Sequence, residues 1–274
     1  MQVRSLGYRT DLIFPRFDGE IIDRGNYLVI RTPSNPTFYW GNFLLFSQPP
    51  KEGDLRRWRD LFATEIGVPP AFEHQTFGWD SPEGEEGAIE PFLQAGFRAD
   101  RSVVLAATEP KPPARRAVRV HVRRLTADRD WQQAINLQVI CRESGSDEAD
   151  YRIFRQRSME RYRRMDEAGL GNWYGAFSDH RLVADLGIFR DGDLGRYQSV
   201  ETHPDFRRQG IAATLIYGAG QHALAANHLK RLVMVAETES APARLYESLG
   251  FKPTEKMVGV LKPPRNDLHA GNWA

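Results

Sequence analysis

The sequence predicts an α/β protein with a mixed, mostly antiparallel sheet flanked by helices, built as two tandem related domains. Three observations support this fold class. After residue 117 the predicted order is strand, two helices, three strands, helix, strand, helix, strand. A proline-rich segment near residue 112 divides the chain, and one short motif occurs on both sides of it.

The second half of the chain has the clearest pattern. Apolar and basic residues alternate from Val118 to Leu125, as in a half-exposed strand, and the second of the next two helices spans Asp147 to Ala168. Polar, turn-rich connections then join three strands as hairpins. The remaining predicted elements are the three strands Trp173–Phe177, Leu182–Phe189 and Arg196–Thr202, a long helix from about Phe206 to Ala226, the strand Leu229–Ala236, the helix Ala241–Leu249 and the strand Met257–Leu261.

The first half gives a coarser prediction. Its predicted elements are the strands Tyr27–Thr32, Phe38–Phe46 and Ser102–Ala107, and the helices Asp54–Ile66 and Gly87–Leu93. The segment Phe92–Phe97 parallels Tyr246–Phe251, since each follows a short helix and precedes a strand. We therefore expect a duplicated fold.

The prolines at 110, 112 and 113 cannot continue a helix or a central strand, and they favour an extended, semi-rigid spacer. We therefore predict an N-terminal domain over residues 1–110, a linker over 111–116 and a C-terminal domain over 117–274.

Composition excludes several classes of function. Lys and Arg total 37 against 36 for Asp and Glu, so no net charge attracts nucleic acid or anionic lipid. No apolar run approaches the roughly 20 residues that span a bilayer, and the N-terminus lacks the apolar core of a signal peptide. A single cysteine fits a reducing compartment. Seven His and one Cys show no metal-ligand spacing. We expect a cytoplasmic protein without metal, membrane or nucleic-acid partners.

The segment Arg207-Arg208-Gln209-Gly210-Ile211-Ala212 is predicted to begin a helix after a strand that Pro204 ends. The first amides of a helix have no internal partners and carry partial positive charge, which suits a diphosphate. Gly210 would let the backbone approach it closely. An ordinary helix start with two solvated arginines explains these six residues equally well.

A second motif favours the phosphate-binding interpretation over an ordinary helix start. Leu245, Tyr246, Gly250 and Phe251 follow downstream, and the two motifs together are hard to attribute to chance. With them the chain resembles the GNAT (GCN5-related N-acetyltransferase) superfamily over about residues 117 to 262. The signature of that family is Arg or Gln, two residues, Gly, one residue, then Gly or Ala, opening a helix after a strand. Arg207, Gly210 and Ala212 match it.

The resemblance implies the acyl-CoA N-acyltransferase fold, acetyl-CoA as cosubstrate and a set of residue roles. The cofactor-binding group comprises main-chain groups of Val200 and Thr202 for the pantetheine arm, the segment Arg207, Arg208, Gln209, Gly210, Ile211 and Ala212 for the pyrophosphate, and Ser240 with Ala243 at the next helix. A plain sheet ladder is the alternative for Val200 and Thr202. Many relatives carry Asn at Ser240; Ser can still cap the helix but loses an amide contact.

Tyr246 matches the family position that often protonates the leaving thiolate, and its phenol can donate a proton at neutral pH. The alternative is a half-buried aromatic side chain. The upstream counterpart, Phe92, has no proton to give, and the first half lacks the phosphate motif. We therefore expect the N-terminal domain to lack cofactor.

An ammonium group must lose a proton before it attacks a thioester. Glu201 is the first candidate base, because it lies on the strand beside the thioester, and simple alternation places it on the face of Tyr197 and Ser199. A solvent-facing Glu is an equally good interpretation. Asp185 is the second candidate, and His203 is expected to serve the turn. Cys141 is interpreted as a structural thiol, which favours direct transfer in a ternary complex over an acyl-enzyme.

The acceptor is left open. The helix Asp147–Ala168 is rich in arginine and aromatic residues, which would suit an acidic acceptor, but acidic residues balance them as on a solvated face. Aromatic residues upstream would line a pocket or form core. The predicted function is N-acetyl transfer to an amine, on a small molecule rather than a protein, by a chain that can form a homodimer. The alternative is a non-catalytic sensor that binds acyl-CoA.

Overall fold

The computed structural model describes residues 1–142 and 147–264, which form two compact units. The first unit contains Met1–Val104 and the described residues from Thr254 onward; the second is Leu105–Pro253. These limits differ from the predicted domain boundaries at the linker, which falls inside the second unit, and at the last strand, most of which belongs to the first.

The first unit has short helices around a six-stranded sheet. Its elements are α1 (Leu6–Asp11), α2 (Ile13–Asp18), β1 (Glu20–Asp23), β2 (Tyr27–Arg31), β3 (Phe43–Phe46), α3 (Asp54–Glu65), β4 (Gln75–Trp79), α4 (Glu90–Gln94) and β5 (Arg98–Ala107). The chain's last strand, β11 (Lys252–Lys262), completes the order β1-β2-β3-β4-β11-β5. The pairs β1–β2, β2–β3 and β4–β11 are antiparallel, and β3 and β4 are parallel.

The second unit has a five-stranded sheet in the order β6-β7-β8-β9-β10. Its elements are β6 (His121–Arg124), α5 (Asp128–Ile140), α6 (Glu148–Glu167), β7 (Gly171–Ser178), β8 (Arg181–Asp191), β9 (Leu194–Thr202), α7 (Ile211–Asn227), β10 (Arg231–Glu237) and α8 (Ala241–Ser248). The first four strands pair antiparallel and β10 is parallel to β9. The predicted mixed, mostly antiparallel sheet flanked by helices is confirmed in both units.

Most predicted elements are present, with two instructive differences. Strand structure is limited to Phe43–Phe46 within the predicted Phe38–Phe46, because a 3-10 turn occupies Tyr39–Gly41. The predicted helix from Phe206 begins only at Ile211, since a 3-10 turn at Pro204–Phe206 and a loop come first. The sequence reading missed α1, α2, β1 and β4, which are each six residues or shorter.

The proline-rich segment packs along the second unit. The amide of Lys111 donates to the Leu249 carbonyl (2.7 Å), and the amide of Ala117 donates to Thr214 Oγ1 (2.9 Å). A β-carbon added to Gly220 would lie 3.0 Å from the Pro110 ring. The extended, semi-rigid spacer predicted from the prolines is, at these positions, a strap held along α7 and the end of α8.

None of the helices in the described part of the chain combines the length and the apolar character needed to cross a membrane.

Candidate active site

The two parallel strands of the second unit separate toward their carboxyl ends. Their register pairs Arg231 with Leu194 and ends where Val233 pairs with Arg196, although β9 continues to Thr202 and β10 to Glu237. Residues 199–202 and 235–236 are half-buried, in contrast to the buried residues before them. The strands therefore stop pairing before their ends, and the partly exposed residues there mark a candidate slot between them.

Main-chain groups of β9 are directed at this slot. The amide of His203 donates to the Val183 carbonyl of β8 (2.9 Å), and successive residues of a strand direct their amide groups to opposite neighbours. The main-chain groups of Thr202 accordingly point away from β8. In agreement, the Thr202 carbonyl accepts from Arg207 Nε (3.1 Å) and Cys141 Sγ (3.4 Å).

A loop of unusual backbone conformation joins β9 to α7. Arg208 has φ +59° and Gly210 has φ +79°, both in the left-handed region. Positive φ in a non-glycine residue is uncommon and marks a locally constrained backbone. Alternating left-handed residues turn successive amides inward, as in the concave sites that bind anions.

The start of α7 adds unpaired amides to this loop. The first helical hydrogen bond runs from the Thr214 amide to the Gly210 carbonyl (3.0 Å), so the amides of Ile211, Ala212 and Ala213 have no partner within the helix. No acidic residue lies in the first turn. The predicted phosphate turn is thus a loop leading into a helix start, five residues later than expected.

Gly210 is required for two reasons. Its positive φ favours glycine, and a β-carbon there would lie 2.8 Å from the Arg115 carbonyl oxygen. The strap therefore packs directly against the loop. Of the two arginines, Arg207 turns back to the Thr202 carbonyl, while the side chain of Arg208 is exposed.

Tyr246 lies on α8 and is 6% exposed. Burial, followed by the nearby negative charge of Glu201, raises the pKa of the Tyr246 hydroxyl above its ordinary value of 10. The phenol accordingly keeps its proton at neutral pH. Within the described chain this hydroxyl has no hydrogen-bond partner, so it is available as a donor.

Glu201 lies on the opposite face of the sheet from the predicted one. Ser199, with φ +47°, and Val200 form a bulge opposite Leu186, since Gln198 pairs with Gly187 and Glu201 pairs with Asp185. The extra residue reverses the alternation. Glu201 therefore shares a face with Gln198 and Asp185 and not with Tyr197.

Asp185, the second candidate base, is fully buried. Its carboxylate accepts from Gln138 Nε2 (2.7 Å) and Trp173 Nε1 (3.1 Å). Burial raises the pKa of Asp185 to about 8. The two hydrogen bonds lower this pKa but offset only part of the rise. A group so enclosed cannot reach an acceptor directly, whereas half-buried Glu201 beside it can.

Two further side chains have structural partners. His203 accepts from the Asp205 amide (3.2 Å) at Nδ1, and its Nε2 meets Arg181 (2.8 Å), which agrees with the expected role in the turn. Cys141 ends α5 against Thr202, near the slot despite its distance in sequence. Burial, with Glu201 and Asp185 nearby, raises the pKa of the Cys141 thiol to about 12.

Ser240 caps α8 as expected, because its Oγ accepts from the Ala243 amide (3.2 Å). That bond occupies the Ala243 amide, and Ala243 is 3% exposed. Because of this bond, the Ala243 amide is not free to donate to another group.

Two buried arginines near the site were not predicted as site residues from the sequence. Arg196 on β9 lies close enough to Tyr246 for its charge to act on the Tyr246 pKa. Arg155 on α6 contacts Ser199 in the bulge (3.3 Å). The signal for Arg155 was present, because it lies on the apolar stripe formed by Tyr151, Phe154 and Tyr162.

Strands that part beside an amide-lined loop define the GNAT class of acyltransferase folds, and the second unit has both features. Residues 170–253 match the family model described as an acetyltransferase (GNAT) domain, and this unit therefore carries a GNAT domain. A comparison with curated proteins finds no match to the chain.

Solved structures share the fold over most of the chain. A conserved protein of unknown function from Staphylococcus epidermidis ATCC 12228 has a TM-score of 0.73 at 14% identity, covering 90% of this chain and 95% of that one. A GCN5-related N-acetyltransferase from Kribbella flavida has a TM-score of 0.63 at 16% identity, covering 96% and 98%. A tandem GNAT protein from the clavulanic acid biosynthesis pathway gives 0.51 at 11%, covering 76% and 67%. The first unit is also structurally similar to GNAT.

Proposed function

We propose that this protein is an N-acyltransferase that moves an acetyl group from acetyl-CoA to the amine of an acceptor. One observation carries the proposal: the end of the second unit brings together a slot between diverging strands, a loop of left-handed residues before a helix, and a buried tyrosine with a free hydroxyl. A slot suits the pantetheine arm, unpaired amides suit the pyrophosphate, and the phenol suits thiolate protonation.

The residues present fit the cosubstrate. The amides of Arg208, Gln209, Gly210, Ile211 and Ala212 would hold the pyrophosphate, and the exposed Arg208 would add charge. Main-chain groups of Val200 and Thr202 would bind the arm. The Thr202 carbonyl would have to share its acceptor capacity with Arg207 and Cys141, so we assign the larger share to Val200.

The chemistry requires three proton transfers, two from the nitrogen and one to the sulfur. Glu201 takes a proton from the acceptor ammonium, the freed nitrogen attacks the thioester carbonyl, and a carbon–nitrogen bond forms as the carbon–sulfur bond breaks. Tyr246 then gives its proton to the departing thiolate, and the second proton that the nitrogen loses on becoming an amide restores the tyrosine hydroxyl. The charge of Glu201 acts on the Tyr246 hydroxyl, which places the two groups in one electrostatic environment.

Direct transfer agrees with the state of the only cysteine. A thiol with a pKa of about 12 carries almost no thiolate at neutral pH, and the thiolate is the nucleophilic form. Cys141→Ser should therefore keep its acyl-transfer rate within about twofold.

The test combines binding with turnover. We expect acetyl-CoA to raise the melting temperature of the full chain and free thiol to be released when amines are supplied. Binding without thiol release across an amine panel would instead support a non-catalytic acyl-CoA sensor. No binding of any acyl-CoA at saturating concentration would contradict both functions.

A further inference from the structure

A buried guanidinium lies next to the candidate base. Arg155 is 6% exposed and, with Arg161 (3%), is one of two buried arginines on α6, whereas the arginines at 152, 157, 163 and 164 lie at least partly in solvent. Its guanidinium packs over the rings of Tyr151 (5.2 Å) and Phe154 (5.0 Å). An arginine held this way is fixed in place and removed from water.

The side chains that hydrogen-bond with Arg155 are neutral, and the negative charge of the nearby Glu201 acts on the guanidinium without a direct ion pair. Nε donates to the Tyr151 hydroxyl (2.9 Å) and one terminal nitrogen donates to Ser199 Oγ (3.3 Å). No ion pair within residues 1–142 and 147–264 includes Arg155. A guanidinium has five N–H donors, and a buried charge is costly unless a counter-charge meets it. The arrangement leaves this cation ready for an anion.

The position of Arg155 links it to the acyl-transfer site. Ser199, its partner, is the bulge residue two positions before Glu201. On the same side, Gln138 Nε2 contacts Asp185 Oδ1 (2.7 Å) and the Ser199 carbonyl (3.4 Å). Gln138 is fully buried, and its Oε1 has no hydrogen-bond partner in the described chain. An unused acceptor and unused donors thus occur in one polar cluster beside Glu201.

We propose that the acceptor is an amine that also carries a carboxylate, as an amino acid does, and that Arg155 pairs with this carboxylate. The proposal rests on the proposed function, because it identifies the acceptor of that reaction. Glu201 would receive the ammonium end, and the buried guanidinium the carboxylate end, so the site matches a zwitterion in charge order. An acceptor without a carboxylate would leave the remaining N–H donors of Arg155 without a charged partner in direct contact, since Glu201 acts on the guanidinium only through its nearby charge.

The competing explanation is structural: Arg155 would only hold the bulge through Ser199. It predicts that loss of Arg155 lowers stability and activity toward all acceptors alike. Carboxylate recognition predicts a selective loss.

Calorimetric titration of the full chain separates these explanations. The probes are the α-amino acids, β-alanine and γ-aminobutyrate, each compared with its primary amide, with and without coenzyme A present. We expect at least one amino acid to bind about tenfold or more tightly than its amide. Arg155→Met should remove this preference and change the affinity for the amide by less than about twofold, and Arg155→Lys should retain part of it. Arg157→Met, an exposed neighbour on the same helix, is the matched control and should behave as the parent.

Three results would overturn the proposal: amides that bind as tightly as amino acids, no amino acid that binds at all, or equal loss of both ligand types in Arg155→Met. If Arg155→Met does not fold, the parent protein and Arg155→Lys decide the question. Coenzyme A binding is measured in the same experiment, so its absence would contradict the proposed function separately from carboxylate recognition.

Discussion

The two units carry the same helix-to-strand turn with different chemistry. In the first, the Phe97 amide donates to the Phe92 carbonyl (3.0 Å), with Gly96 at φ +86°. In the second, the Phe251 amide donates to the Tyr246 carbonyl (3.2 Å), with Gly250 at φ +88°. The backbone is therefore repeated, while the side chain that would donate a proton occurs only in the second unit.

The parallel strand pairs differ in how far they extend. In the first unit the register of β3 and β4 continues to Phe46 and Trp79, the last residue of each strand. The Trp58 ring stacks on Phe46 at 3.8 Å between centroids, and Phe92 packs against Trp58 at 5.4 Å. In the second unit pairing stops early and leaves the slot. A closed sheet end packed with aromatic rings cannot take a cofactor arm, so we expect the same fold to form core in the first unit and a binding site in the second.

The helix starts also differ in charge. Gly53 precedes α3 with φ +84°, much as Gly210 precedes α7. Asp54 follows it, accepts from the Lys51 amide (2.9 Å) and pairs with Arg57 (2.8 Å). A carboxylate at this helix start disfavours an incoming phosphate, whereas the start of α7 has no acidic residue in its first turn.

The largest expected effect is the difference between exchanging Tyr246 for Phe and exchanging its counterpart Phe92 for Tyr. Tyr246→Phe should lower kcat about 100-fold while leaving acetyl-CoA affinity within about twofold, since a general acid contributes on the order of 10²–10⁴ in rate. Steady-state thiol release measures this. Phe92→Tyr is the matched change: it should destabilise the protein by about 1–3 kcal/mol without changing kcat, because it buries a hydroxyl among aromatic rings. An unchanged kcat in Tyr246→Phe would remove that residue from the mechanism.

The next largest effect is the difference in acetyl-CoA affinity between alanine substitutions at Gly210 and at Gly53. Both have positive φ, so alanine at either costs about 1–2 kcal/mol of backbone strain. Only at Gly210 does the new β-carbon meet a neighbour, the Arg115 carbonyl, whereas Gly53 has nothing within 4 Å. Gly210→Ala should therefore weaken acetyl-CoA binding about tenfold, and Gly53→Ala should leave it unchanged. Equal dissociation constants from calorimetry would argue against the loop as the binding site.

The two units should respond oppositely to pH. Burial lowers the pKa of His74, in the first unit, from 6.5 to about 4. Between these values the unfolded chain binds more protons than the folded chain, so stability falls as pH drops from 6.5 toward 4. Burial raises the pKa of Asp185, in the second unit, from 3.8 to about 8. There the folded chain binds more protons, so stability falls as pH rises from about 4 to 8.

Each slope is at most about 1.4 kcal/mol per pH unit. Hydrogen exchange of peptides from β4 and β8, measured across this range, resolves the units separately. His74→Gln should flatten the first dependence and Asp185→Asn the second. Parallel profiles in both units would show that these buried groups do not control local stability.

The smallest effect concerns the start of α3. Asp54→Ala should destabilise the protein by about 0.5–1 kcal/mol, because a carboxylate at a helix N-terminus is lost, and it should not create a second acetyl-CoA site. Denaturant unfolding and calorimetry check the two parts. A gain of binding would mean that Asp54, rather than the closed sheet end, excludes the cosubstrate from the first unit.

Strong local patterns made much of the fold predictable. The helix predicted at Asp147–Ala168 is α6, Glu148–Glu167, because an acidic cap and a following glycine define its ends. The hairpins after it were equally clear. Short elements such as β4 carry too few residues for a periodic signal, and the 3-10 turn before α7 shifted the predicted helix start.

The candidate site was predictable as a set of positions but less so as geometry. Two motifs located the loop and Tyr246 through the family resemblance that they carry. The bulge at Ser199 could not be read from β9, because it depends on the register with β8, and it placed Glu201 on the unexpected face. Arg155 could have been recognised from the sequence, because it is a charged residue on an otherwise apolar face of a predicted helix.

The central claim is that the second unit binds acetyl-CoA and the first does not. Calorimetric titration of the full chain with acetyl-CoA tests it most directly, with native mass spectrometry to count bound ligands. The structure predicts one acetyl-CoA per chain, at a site weakened by Gly210→Ala and insensitive to Gly53→Ala. Two molecules per chain, none, or a single site weakened by Gly53→Ala would contradict it.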